Sequence, residues 1–423
     1  MFLPRLVAAQ DQAPASITLE EALRRAELVQ PAIIRAGGAY SDASAQYRTA
    51  WGSFLPDITA SSSYGSSYSE GTRTDPVTGE LRPANTKSQS VSMNLNANLD
   101  LFTGFRRGAD LRAARAQEDA ADAGLVDARF QVALTTKQQY FAALAAAELV
   151  RVRDASVRRA QEQLNVSVNK LRSGTATRSD SLRSLVTLGS AQLDLLNART
   201  TLATAEAALG RQVGVPSRVA AVRDTSILRV SAAPDTAALR LEAEGTSPVV
   251  RSADAQVRAA DASFSAAKSV YWPALNLSGR YGYSGSDAQD YDLFNSRNVT
   301  LALSWPLFNG FAREQSVVNR STALDNARAD AADARRQVSA ELTQRFAELD
   351  AARAQIDIAT TSVSAAEEDL RVNQERYRLG AATIVDVLSS QEALSQAEVD
   401  VVQAWFDYLV AKAQIEALIG RSL

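Results

Sequence analysis

Two kinds of hydrophobic spacing divide this chain. From Leu342 onward apolar residues recur every seven positions, at Leu342, Leu349, Ile356, Val363, Leu370 and Tyr377, with Ala352, Ala359 and Ala366 three places further on. After Gly380 the register restarts at Val387, Leu394, Val401, Tyr408 and Ile415, accompanied by Ala397, Ala404 and Ala411. An earlier stretch has the same form: Val150, Val157, Leu164 and Leu171, then Leu188, Leu195, Leu202 and Leu209 with Ala191, Ala198 and Ala205. This is the spacing of helices wound around one another, and the alanine seam lets them approach closely. No proline occurs between Pro83 and Pro216 or after Pro306. A proline inside a helix costs about 3 kcal/mol, so both spans are free to be long helices. A helix from Asn309 to Arg376 would run about 100 Å, far more than a globular core needs. Gly174 and Gly380 are placed to fold each long helix back on a shorter one.

The second spacing has a period of two. Val91, Met93, Leu95, Ala97, Leu99 and Leu101 alternate with Ser92, Asn94, Asn96, Asn98 and Asp100. Val299, Leu301, Leu303, Trp305 and Leu307 alternate with Asn298, Thr300, Ala302 and Ser304. These read as strands with one apolar and one polar face. Their partners begin at Pro56 (Ile58, Ala60, Tyr64) and Pro273 (Leu275, Leu277, Tyr281, Tyr283), across turn-rich loops at Asp75-Pro76-Val77-Thr78-Gly79 and Gly285-Ser286-Asp287. Strands of about ten residues are long enough to cross a bilayer when tilted. The polar face carries Asn and Ser rather than Lys and Glu, as a wet lumen would. Residues 51–105 and 271–311 hold 15 of the chain's 27 aromatic residues, many at strand ends, where interfacial girdles form. Four strands cannot close around a lumen, and open edges are not tolerated in lipid, so the barrel must be shared in a cyclic homo-oligomer.

The two patterns occur twice. Leu101-Phe102-Thr103-Gly104-Phe105 recurs as Leu307-Phe308-Asn309-Gly310-Phe311, an offset of 206 that also relates Gly174 to Gly380, Asp180 to Asp386 and Gly214 to Gly420. Upstream of this motif the first copy is longer, which reads as an insertion in one hairpin loop. The expected organisation is a leader or signal-peptide remnant over 1–17, a first repeat over 18–214, a linker over 215–245 and a second repeat over 246–423. The hairpins are expected at about 54–102 and 273–308, the long helices at about 103–172 and 309–378, and the shorter ones at about 178–213 and 383–420.

Composition narrows the chemistry. The 423 residues include no Cys and no His, which removes disulfides, thiol nucleophiles, imidazole proton transfer and most transition-metal sites. The net charge of −3 and the interspersed charges argue against a nucleic-acid partner. No Ser/His/Asp set, phosphate loop or metal cluster is present, so neither an enzyme nor a cofactor is expected. No run approaches the length of an apolar membrane helix, so a membrane reading rests on the strands.

These features resemble the TolC-type outer-membrane efflux family over almost the whole chain. The most specific stretches are Phe308-Asn309-Gly310, the terminal Ile419-Gly420, Arg376-Tyr377-Arg378-Leu379-Gly380-Ala381-Ala382-Thr383-Ile384-Val385-Asp386-Val387-Leu388 and its counterpart Lys170-Leu171-Arg172-Ser173-Gly174-Thr175-Ala176-Thr177-Arg178-Ser179-Asp180. The resemblance implies an α+β membrane protein: a homotrimer with a 12-stranded β-barrel, four strands from each chain, continued by a coiled-coil α-helical barrel. A mixed equatorial region would fall near 215–245. It further implies passive conduction from the periplasm to the exterior through the outer-membrane lipid, with a periplasmic adaptor (membrane fusion protein) and an inner-membrane pump as partners. Drug efflux and type I protein secretion share this duct and are not separated by the sequence.

By the same resemblance the two Gly turns form the periplasmic tip. The adaptor-docking residues would be Arg172, Gly174, Thr175, Arg378, Leu379, Gly380 and Ala381. Asp386 matches a constricting acidic ring; a second acidic position one turn on is Ser389 here. Tyr377 matches a tyrosine that bonds to the neighbouring helix pair, and its partners match Ser179 and Asp180. A gate-locking arginine is replaced by Ala382, which leaves Arg178 as the candidate substitute. A plainer reading stands beside this one. Thr177–Asp180 and Thr383–Asp386 have the spacing of capping boxes, and Thr18–Glu21 has it too. Three converging Asp386 carboxylates would have raised pKa values, whereas capping alone needs no ring. The competing class is a soluble coiled-coil scaffold, which explains the heptads but not the alternating strands.

Overall fold

The computed structural model describes residues 15–223, 236–286 and 292–421. Positions 1–14 of the expected leader, the middle of the 215–245 linker and Asp287 of the second loop lie outside the described residues; the leader's expected end at 17 is corrected, because Ala15–Ile17 form a strand paired with Val219–Ala221 and Ile17 is buried. The elements are β1 (Ala15–Ile17), α1 (Leu19–Val29), α2 (Pro31–Gly52), β2 (Asp57–Thr74), β3 (Leu81–Thr103), α3 (Arg106–Arg172), α4 (Arg178–Gln212), β4 (Val219–Ala221), α5 (Thr236–Thr246), α6 (Pro248–Ala267), β5 (Ala274–Ser286), β6 (Phe294–Ser304), α7 (Ala312–Arg378) and α8 (Ile384–Ile419). None of the described helices is long and apolar enough to cross a membrane. The chain forms two compact units.

One unit takes in residues 40–121 and 253–331 and holds a four-stranded antiparallel sheet ordered β2-β3-β5-β6. The register sorts its side chains cleanly. Ile58, Ala60, Met93, Leu95, Leu99, Leu277, Leu301 and Leu303 share one face; Thr59, Asn94, Asn96, Asn98, Ser278 and Thr300 share the other. Neither face is covered: Ile58 and Leu301 on the first are more than 60% exposed, and Thr59, Asn98 and Thr300 on the second are exposed too. Among the described residues β2 and β6 each pair on one side only.

The first hairpin corrects the expectation of ten-residue strands. β2 has 18 residues and β3 has 23, paired without a break from Asp57↔Asn98 to Thr74↔Leu81. The extra residues of the first copy therefore extend the ladder rather than the loop. They are mostly Ser, Thr, Gly, Asn and charged residues, with only Tyr68, Leu81, Pro83 and Ala84 apolar or aromatic among them, so the backbone pairs while the alternation that betrays a half-buried strand disappears. The turn itself is short: Asp75 N–H donates to Glu80 O (2.8 Å) and Gly79 N–H to Asp75 O (2.8 Å), with Gly79 at φ +76°.

The strands leave the sheet through matched Gly-Phe pairs, both residues in the left-handed region: Gly104 (+62°) and Phe105 (+67°), then Gly310 (+65°) and Phe311 (+66°). A phenylalanine there is unusual, because its Cβ crowds the following carbonyl. This turn explains why α3 and α7 begin three residues later than the apolar pattern suggests. Arg107 donates to Ser53 O (3.1 Å) and Leu101 O (3.2 Å), and Arg313 donates to Pro306 O and Leu307 O (3.1 Å each), so each exit is held by one guanidinium. Phe105 meets Phe102 and Trp272 edge-on, and Phe311 meets Phe308 in the same way; Phe102 is half-buried and the other four are exposed.

The other unit takes in residues 1–39, 122–252 and 332–423. Its core is centred on Tyr140, Leu209, Leu342, Tyr408, Ile415 and Ile419, each less than 2% exposed. The Tyr140 hydroxyl donates to Val222 O (2.6 Å), which satisfies the one polar atom such a burial strands. Lys137 and Glu416 pair between α3 and α8. β1 runs parallel to β4, Ala15↔Val219 through Ile17↔Ala221. The α1–α2 break falls at Pro31, the first residue of its helix, where the missing N–H costs nothing. The Thr18–Glu21 box forms only in half. Glu21 N–H donates to Thr18 Oγ1, but the Glu21 carboxylate turns to Arg24 and Arg25 instead of the cap.

Candidate functional site

The two long helices of the second unit end identically. At the end of α3, Gly174 N–H donates to Leu171 O (3.1 Å) and Thr175 N–H to Lys170 O (2.9 Å); at the end of α7, Gly380 N–H donates to Tyr377 O (3.1 Å) and Ala381 N–H to Arg376 O (2.8 Å). These are paired 5→2 and 6→1 closures around a glycine at φ +73° and +78°, the geometry that satisfies the last carbonyls of a helix. The next helix starts with a complete capping box in each case: Thr177 with Asp180 before α4, and Thr383 with Asp386 before α8. The chain therefore reverses in five residues with its helix-end groups largely paired. Leu379 stands 75% exposed on the second turn. Arg378 pairs with Glu375 (3.0 Å), and Arg376 donates to Ala381 O (3.3 Å). Arg172, Gly174, Thr175, Gly380 and Ala381 are all exposed.

Behind the turns, Leu370, Tyr377, Ile384, Val387 and Leu394 close the α7–α8 hairpin, and Ala160, Leu188 and Ala191 close α3–α4. Each seam carries a polar layer. Ser167 and Ser184 bond to each other (2.9 Å), and Asn373 donates to Ser390 (2.8 Å), which in turn donates to Asp369. The turns are tied by Lys170. Its ammonium donates to the Tyr377 carbonyl and lies 4.1 Å from the centre of the Tyr377 ring. Arg159 makes a two-pronged pair with Glu398 (3.1 and 2.6 Å), linking α3 to α8 further along.

Asp386 accepts hydrogen bonds from the Thr383 N–H (2.8 Å) and hydroxyl (2.8 Å). The backbone bond and then the hydroxyl of Thr383 hold its carboxyl below the ordinary value against the opposing effect of burial, with the charge of Arg376 adding a lesser push in the same direction. A depressed carboxylate stabilises the fold above its unfolded pKa, and that contribution is lost as the pH falls through the folded value. The Asp386 contribution is therefore complete at neutral pH and disappears in acid below 3.8, the ordinary value. Asp386→Asn is expected to flatten this part of the acid response. The check is amide hydrogen exchange at Thr383 and Asp386 in both proteins: protection that falls in acid equally in both would reject the assignment.

Ser179 and Ser389 are exposed and line one wall each of a groove of about 730 Å³ among α3, α4 and α8, together with Arg153, Arg183 and Gln391. Arg178 is exposed. The expected bond from Tyr377 to Ser179 or Asp180 is not formed within the chain. The Tyr377 hydroxyl is buried without a partner, and Asp180 accepts from the Thr177 N–H (2.9 Å). Lys170 and Gln391 were not singled out by the sequence. Gln391 is 7% exposed with both amide atoms unpartnered, and no periodicity marks a buried amide that lacks a partner. No cluster of metal-ligating residues occurs among the described residues.

With this geometry in hand, the chain can be set beside known proteins. A family model described as outer membrane efflux protein matches residues 18–215 and 239–421. The chain is 23% identical over 394 residues to the alkaline protease secretion protein AprF of Pseudomonas aeruginosa, covering 90% of this chain and 79% of that one. It is 26% identical over 352 residues to the pyoverdine export outer membrane protein OpmQ of Pseudomonas putida, covering 79% and 71%. Its fold is similar to the crystal structure of the outer membrane protein VceC from Vibrio cholerae, with a TM-score of 0.80 at 19% identity, over 96% of each chain.

Proposed function

The chain belongs to the outer membrane efflux protein family and is the outer-membrane exit duct of an efflux or secretion system, and from that premise we propose that three copies share one 12-stranded barrel continued by a helical tunnel. A large part of the chain is periplasmic. Conduction is passive, driven by an inner-membrane pump and reached through a periplasmic adaptor. The adaptor docks on the two tip turns, at Arg172, Gly174, Thr175 and Arg378 to Ala381. The gate is the same tip, where Asp386 and Ser389 line the constriction and Arg178, Ser179, Asp180 and Tyr377 connect neighbouring helix pairs. The described residues 215–223 and 236–245 belong to the equatorial linker.

The observation that carries this reading is the sheet. Its apolar face is bare and both its edge strands are open; a bare apolar face is a liability in water and open edges are not tolerated in lipid, so copies must close the edges where lipid covers the face. A soluble coiled-coil scaffold leaves that face unexplained. The helices support the same closure. The 206-residue offset pairs Leu185 of α4 with Gln391 of α8. Gln391 is 7% exposed, covered within the chain, whereas Leu185 is 52% exposed, and Leu182, Val186, Leu193 and Leu196 continue its bare stripe. The cover that α8 receives from its own chain is what α4 lacks, and a second copy supplies it head to tail, so the contact closes into a ring.

The test is the mass of the detergent-extracted protein from an outer-membrane fraction, by light scattering with detergent subtracted. Three chains of 45.3 kDa give about 136 kDa, as a closed ring requires. A monomer or dimer in that fraction would reject the shared barrel.

A further inference from the structure

The polar face of the sheet carries one charge that is held in place by a purpose-made gap. Arg280 on β5 donates from Nε (3.1 Å) and from one terminal nitrogen (2.7 Å) to the side-chain oxygen of Asn94 on β3. Arginine has only donors, so the Asn94 amide must present its oxygen there. Asn94 reaches Arg280 diagonally, by lying over its own cross-strand partner Gly282. A Cβ at Gly282 would sit 2.5 Å from that same oxygen. Any other residue at 282 displaces Asn94 and releases the guanidinium. The amide nitrogen of Asn94 donates onward to Ser92 (3.4 Å), which bonds Ser63 on β2 (2.8 Å), so the clamp is braced across three strands.

Arg280 has no acidic partner among the described residues. Two acids share this face further along the sheet: Asp57 on β2 lies one rung on, two strands away, and Asp100 on β3 lies two rungs on and accepts from Asn276 (2.9 Å). The rungs beside Arg280 hold Asn96 on β3 and Asn298 on β6, both neutral. Two of the five N–H groups of the guanidinium are used by Asn94; the others are free to bind an anion. A clamped cation loses little entropy when it captures a ligand, which distinguishes it from a surface lysine.

We propose that Arg280 is an anion-binding residue on the lumen wall of the barrel, positioned by Asn94 and Gly282, and that three copies form a ring that selects for phosphate, sulfate or carboxylate groups on the cargo. The proposal rests on the shared-barrel reading, which makes the polar face the lumen. Charged rings set the ion preference of pores in this way. At physiological salt a fixed charge acts over about 8 Å, so the ring works on groups that pass along the wall and weakens as salt rises.

The test is block of conductance in planar bilayers by inorganic triphosphate added on the barrel side at low salt. Arg280→Gln is expected to raise the half-blocking concentration by about fivefold or more, Arg280→Lys to restore part of the block, and Asn94→Ala to fall between wild type and Arg280→Gln. Arg297→Gln, on the opposite face, serves as the control for surface charge. Block that is absent in wild type, or equal in wild type and Arg280→Gln, or lost equally in Arg297→Gln, overturns the proposal. A wild-type protein that forms no channels rejects the duct itself, an outcome separate from these. Gel migration of the unheated trimer confirms that each variant is assembled.

Discussion

Leu193→Asp is expected to deplete the trimer from the outer-membrane fraction, because chains that fail to close the ring leave barrel edges open in lipid. Leu193 is 64% exposed in the single chain, in the middle of the α4 stripe that runs from Leu182 to Leu196. In the proposed ring the next copy covers it. Its counterpart at the 206-residue offset, Val399, is already half-buried by the chain's own helices. Ile358, 66% exposed on α7, is a candidate for the receiving side, because its counterpart Val152 is half-buried. A carboxylate in that seam is desolvated without a partner, which costs several kcal/mol, and each 1.4 kcal/mol or so is a tenfold loss of affinity. A ring repeats the penalty at every interface. The change is exposed within one chain, so the helices themselves should keep their stability. Light scattering of wild type and variant decides it. A trimer that survives Leu193→Asp would remove α4 from the interface.

Much of this architecture is written in spacing, and the failures of spacing are informative. The heptads mark α3, α4, α7 and α8 because each of these helices buries one stripe, and Leu342, Tyr408 and Ile415 on that stripe are fully buried. The turns are visible because only glycine takes φ +73° or +78° cheaply, and because Thr and Asp three apart are what a helix start requires. The length of β2 was invisible: from Ser61 to Thr74 it packs against nothing on either face, so its sequence records no period. The site was only partly legible. Lys170 precedes the heptad position Leu171 and looks like any solvated lysine. Its role comes from Tyr377, which is 207 residues away in sequence and beside it in space. Asp386 is legible twice over, as a cap and as a ring residue, and one chain's geometry accounts for the first role.

Lys170→Ala is expected to raise the resting conductance about tenfold, because Lys170 holds Tyr377 in place. The ammonium gives Tyr377 two interactions, a charged hydrogen bond to its carbonyl and a position over its ring. The first contributes about 1.5–3 kcal/mol and the second about 0.5–2 kcal/mol when partly desolvated. Against them, within the single chain, stand the Tyr377 hydroxyl and both amide atoms of Gln391, buried without partners. Each such group costs about 1–3 kcal/mol, so the two costs and the Lys170 tie are of similar size. The tip is therefore poised between this arrangement and one in which Tyr377 and Gln391 find partners. Loss of the tie by about 1.4 kcal/mol per trimer already moves that balance tenfold, and three chains lose it together. Lys170→Arg keeps the charge over the ring and should stay close to wild type. Bilayer conductance of the three proteins, with trimer integrity confirmed in each, is the measurement. An alanine variant that conducts like wild type would show that the Lys170–Tyr377 contact does not hold the gate.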